Sequence, residues 1–139
     1  MKSLFSNSYA LAIISGVLCV LSFPPFNFSF LIWIAIVPFL YALIITPYQK
    51  KSFFGITYYE APLIGALFGL IFYFGTLHWI YNVFGIFGIF LLLVLCIYPY
   101  VFAHVFNYTY SKIKKGWSIL VLPALFWVAI EYIKSEGWW

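Results

Sequence analysis

GIFLLLVLCIYPYVFAHVFNYTY, residues 88–110, decides the fold, and SKIKKG, residues 111–116, follows it at once. The first stretch holds no Asp, Glu, Lys or Arg, and Lys112, Lys114 and Lys115 come directly after it. A helix needs roughly 17 to 25 residues to cross a hydrocarbon core of about 30 Å. Short basic clusters beside such runs mark the cytoplasmic side. The stretch therefore predicts a transmembrane helix over 88–110 whose C-terminal end faces the cytoplasm.

The rest of the chain has the same character. Hydrophobic residues make up 66% and charged residues 7%, where a soluble domain carries about 25% charged. Most of the surface must therefore face something apolar. The net charge of +4 comes from lysines gathered in short clusters between apolar runs. That pattern fits membrane orientation and not nucleic-acid binding. Cys19 and Cys96 lie inside apolar runs, without metal-type or redox spacing.

Working outward, four more apolar segments predict helices over residues 9–23, 30–45, 63–84 and 117–133. Pro24-Pro25 ends the first, because the residue before a proline is pushed out of helical geometry. Thr46-Pro47 and Lys50-Lys51 end the second, and Gly85-Ile86-Phe87-Gly88 turns the third into the fourth. No small-residue cleavage site follows the first run, so it is expected to stay as a span and not act as a signal peptide. With the N-terminus inside, Lys2, Lys50, Lys51, Lys112, Lys114 and Lys115 are cytoplasmic and Lys134 alone is outside. The expected fold is an all-α integral membrane bundle of about five helices, N-in and C-out, in one domain over residues 1–139. Gly65 and Gly69 form a GxxxG pair suited to close helix approach. Pro38, Pro99 and Pro123 predict kinks and a crevice.

Polar residues inside spans are costly and point to function. Phe23, Phe26, His78, Trp79, Tyr81, Asn82, Trp127 and Glu131 all fall toward the expected outer face. Simpler readings stand beside that one. Trp79 and Tyr81 suit an interfacial aromatic belt, His78 a packing role, and Glu131 with Lys134 a surface pair. His78 and His104 differ in depth by roughly 13 Å, too far to share a metal, so no metal or cofactor is expected. Neither cysteine has a cation beside it to activate the thiol. No catalytic nucleophile is visible. Glu131 is expected to face the bundle and bond to Tyr81 or Asn82.

Three stretches carry a family resemblance. LSFPPFNFSFLIWIAIVPFLYAL (21–43), GALFGLIFYFGTLHWIYNVFGIFG (65–88) and LPALFWVAIEYIKS (122–135) resemble, in order, segments of the bacterial apolipoprotein N-acyltransferases. The Trp127-to-Glu131 spacing matches. Pro123 to Trp127 is one residue longer than the family pattern, and Lys134 stands where Arg is usual. The resemblance implies an inner-membrane enzyme moving an acyl chain from a phospholipid to the N-terminal amine of a lipoprotein's lipidated cysteine. It places the chemistry in an outer nitrilase-like domain with a Glu-Lys-Cys triad, to which no residue here corresponds. The expectation is a truncated or split chain that is not catalytic alone, partnered by a chain carrying the remaining helices and that domain. The competing readings are a non-catalytic membrane scaffold and a small transporter subunit.

Overall fold

Asn7 caps the first helix, its side-chain oxygen accepting from the Tyr9 amide at 3.1 Å. This is the role a short polar side chain plays at an N-terminus. The computed structural model describes residues 7–53, 56–113, 116 and 118–137. Helix α1 spans Ser8–Ser22 and α2 spans Ile32–Ile45, after a 3-10 turn at Ser29–Leu31. Strands β1 (Lys50–Phe53) and β2 (Ile56–Tyr59) follow. The remaining helices are α3 (Glu60–Thr76), α4 (Trp79–Phe84), α5 (Ile86–Leu95), α6 (Ile97–Ile113) and α7 (Ser118–Gly137).

The helices alternate in direction. Ser8, opening α1, shares a hydrogen bond of 2.8 Å with Thr46, just past α2, and Ser15 donates to the Ala35 carbonyl. These contacts make α1 and α2 antiparallel. Gly16 lies against Ile71 and Gly75 against Val20, so α1 and α3 run parallel. Gly65 and Gly69 let α3 close onto α6: a Cβ at Gly65 would strike the Pro99 carbonyl and sit 2.6 Å from the Ala103 methyl. The GxxxG pair is a true helix contact.

A ladder of rings fills the space between the helices. Phe39 stacks on Phe68 at 4.3 Å, Phe68 on Phe72 at 6.0 Å, and Phe102 lies between Phe39 and Phe106. Small residues (Ala12, Ala35, Ala42, Ala103) complete this core. The outside is apolar too: Trp33 is 83% exposed, Phe87 77% and Ile86 75%. Water tolerates patches of that kind poorly, whereas lipid covers them. Helical residues Ile86–Ile113 form one stretch long and apolar enough to cross a membrane, and four shorter apolar helices accompany it.

Several expectations change. The helix expected over 63–84 starts earlier, at Glu60, because Pro62 falls in the first turn, where its missing N–H is no loss. That helix also breaks at Leu77-His78. The His78 Nδ1 approaches the Gly75 carbonyl at 3.2 Å and so occupies the acceptor that a continuing helix would offer to Trp79. The turn into the next helix is Gly85 alone, at φ 56, a backbone position that suits glycine. A short antiparallel hairpin, with Lys50 opposite Tyr59 and Lys51 opposite Tyr58, occupies what the helical pattern left as loop. The last helix reaches Gly137, so Glu131 lies well before its end. Pro99 falls in the first turn after the break at Cys96, while Pro38 and Pro123 sit inside continuous helices. Lys2, Lys114, Lys115 and Trp117, used above for topology and helix ends, lie outside the described residues.

Candidate lipid-facing site

The bundle end that carries the α1–α2 corner and the α3 terminus holds the candidate site. The corner folds tightly: the Phe26 and Asn27 amides both donate to the Phe23 carbonyl at 3.1 Å, and the Phe28 amide donates to Leu21. Asn27 takes φ 57, which asparagine tolerates better than most residues. This geometry turns the Phe23 ring onto α3, where it meets Phe72 edge-on at 5.8 Å.

Two crevices meet at that ring pair. One, of about 630 Å³, lies between the corner and the end of α3, lined by Phe23, Pro24, Phe72, Tyr73, His78 and Trp79 among others. The second, of about 590 Å³, runs between α1, α2, α3, α6 and α7, with Phe23, Phe72, Phe102, Pro123 and Trp127 on its walls. Volumes of several hundred Å³ with mainly apolar walls are typical of small-molecule sites. The furrow carries few polar groups: the Thr76 hydroxyl donates back to Phe72 at 2.6 Å, and His78 is held by Gly75.

Phe23, His78 and Trp79 line the first crevice, and Phe23 and Trp127 line the second. Phe102 meets Trp127 edge-on at 5.7 Å and fixes it on the furrow wall. Phe26, Tyr81 and Asn82 are exposed and line neither crevice. Glu131 is half-buried on α7, and Tyr73 lines the first crevice from α3. Phe72 and Tyr73 were not singled out in the sequence. The spacing Phe68, Phe72, Thr76 puts one stripe of α3 on the furrow and could have located Phe72.

A helical bundle with an apolar exterior and an apolar furrow at one end is an all-α membrane protein. The chain belongs to the apolipoprotein N-acyltransferase family: residues 15–139 match the family model of the apolipoprotein N-acyltransferase N-terminal domain. It is 34% identical over 129 residues to an apolipoprotein N-acyltransferase of Geobacter metallireducens, a match covering 91% of this chain and 24% of that protein. The chain thus spans about a quarter of the curated relative it matches. No solved structure matches it.

Proposed function

We propose that these residues form the membrane part of an apolipoprotein N-acyltransferase in the bacterial inner membrane, a multi-pass module that holds the phospholipid acyl donor beside the catalytic centre. The furrow joined at Phe23 and Phe72 carries this reading. Its apolar length suits the donor's acyl chains, walled by Phe23, Phe72 and Trp127. On this reading His78, Trp79, Tyr73 and Glu131 meet the headgroup or the incoming amine, with Phe26, Tyr81 and Asn82 on the adjoining exposed surface. The lysine distribution supports N-in, C-out topology, which puts the furrow's open end outside.

The reaction the family name implies passes the acyl group from the donor ester to a thiolate, releasing a lysophospholipid. The lipoprotein's amine then attacks the thioester to form the amide. On this reading the nucleophile is supplied by another part of the full-length protein. Both cysteines are buried, and no described residue places a cation beside either one.

The test is acyl transfer from phospholipid to a diacylated lipopeptide by the full-length protein. Phe72→Trp, which narrows the junction, should lower the rate about tenfold, a barrier change of about 1.4 kcal/mol. An unaltered rate in a folded variant contradicts the reading, since the furrow would then not carry the donor.

A further inference from the structure

At the opposite end of the bundle lies a third cavity, of about 500 Å³, lined by Thr46, Pro47, Tyr48, Asn107, Ser111 and Lys112 among others. We propose that this cavity binds the phosphate of an anionic membrane phospholipid, with Lys112 as its cationic contact. The inference rests on the membrane-spanning reading above and not on the acyl-transfer chemistry.

Helices α2 and α6 both end here, and helix C-termini carry partial negative charge that would repel an anion. Part of that charge is answered by side chains of the wall. Asn107, almost fully buried, donates to the Leu43 carbonyl at 2.7 Å and to the Thr46 carbonyl at 2.9 Å. The Thr46 hydroxyl donates to Ala42 at 2.7 Å, and the Ser111 hydroxyl donates to Tyr108 at 2.7 Å. Lys112 is the one charged side chain on the described lining. Glu60 is paired with Lys51, and Glu131 and Glu136 lie on α7 toward the other end of the bundle, so no described carboxylate at this end is left for Lys112. Its ammonium stands 5.9 Å from the Tyr108 ring centre, a contact that holds a cation near the rim.

The sequence beside the lining is basic: Lys50 follows Tyr48 by two residues, and Lys114 and Lys115 follow Lys112 by two and three. Of the three acidic residues, Glu60 alone belongs to this end, and it is already paired. Basic pockets between helices at a membrane surface bind anionic headgroups. Ile44 and Pro47 on the lining offer an apolar path by which the tails can stay in the bilayer.

The experiment uses the full-length protein in phosphatidylcholine nanodiscs doped with phosphatidylglycerol, reading bound lipid by native mass spectrometry. Lys112→Gln should weaken phosphatidylglycerol retention about tenfold and leave phosphatidylcholine unchanged. Lys50→Gln, a surface cation off the cavity, should cost about fivefold or less. Equal losses in the two variants mean diffuse attraction and overturn the site, as does unchanged retention in Lys112→Gln. Displacement of the lipid from the wild type by millimolar inorganic phosphate identifies a free-anion site and overturns the lipid. Failure of the chain to enter the membrane overturns both readings, whereas an inserted chain without this selectivity overturns this inference alone.

Discussion

Phe23, at the α1–α2 corner, and Phe72, on α3, meet edge to face with ring centres 5.8 Å apart and planes at 67°. Both crevices of the candidate site include this pair. Trp127 lines the second crevice with them, and on the proposed reading an acyl chain lies against all three rings. Phe23 is 41% exposed, so Phe23→Ala should cost under about 1 kcal/mol of stability. In the full-length enzyme it should raise the KM for phospholipid several-fold with kcat little changed, the signature of lost uniform binding.

The α3–α6 contact gives a stability prediction. Gly65→Ala gains helix propensity of up to about 1 kcal/mol. It also forces a methyl onto the Pro99 carbonyl and the Ala103 side chain, and overpacking costs about 1–3 kcal/mol. The steric clash outweighs the gain in propensity, and the melting temperature in detergent should fall. Gly116→Ala, where a Cβ meets nothing within 4 Å, should leave the melting temperature unchanged.

Much of this fold was legible in the sequence. Apolar runs and Pro24-Pro25 set α1, α2 and the long α5–α6 stretch, since length and proline sterics act locally. The break at Leu77-His78 was not legible, because it depends on His78 reaching back to Gly75, a side-chain contact that hydropathy does not encode. The hairpin was hidden for a similar reason. Its Thr57-Tyr58-Tyr59 run favours strand, but four residues a side are too few to stand out beside apolar helices. Of the residues that line the crevices, depth in the sequence singles out Phe23, His78, Trp79 and Trp127. Phe72 and Tyr73 were missed because they look like any ring in an apolar run.

Asn107 ties α6 to the end of α2 through two carbonyls. Asn107→Ala leaves Leu43 and Thr46 without that donor, and an unpaired buried group costs about 1–3 kcal/mol. Thermal unfolding in detergent should show a loss in that range, and an unshifted transition would mean the two bonds carry no net stability.

Glu131 is half-buried on α7, a position that calls for polar company, and the Tyr73 hydroxyl of the first crevice is one candidate partner on α3. A double-mutant cycle on Glu131→Gln and Tyr73→Phe should give a coupling of about 1 kcal/mol in unfolding free energy. A parallel cycle with Asn82→Ala compares α4 as a partner. Coupling only to Asn82 would move the carboxylate away from the first crevice.

The hairpin end should weaken in strong alkali. A hydrogen bond with Tyr59, followed by desolvation, pushes the Tyr48 hydroxyl up to about 12. The Glu60 carboxylate raises the Lys51 ammonium. Groups raised on folding add stability in full below their unfolded values, near 10 to 10.5, and lose it as pH rises through the folded ones. Melting temperature should therefore not respond to these groups from pH 7 to 9, and Tyr48→Phe should blunt the fall above about pH 10.

The most direct measurement is photocrosslinking of the full-length protein by a phospholipid with a diazirine in its acyl chain, followed by peptide mapping. Labelled peptides should come from the α1–α2 corner, from α3 around Phe72 and from α7 around Trp127, and excess unlabelled phospholipid should suppress them together. Labelling spread evenly over the exposed face of α5, or absent from α3 and α7, would contradict a donor held in the furrow.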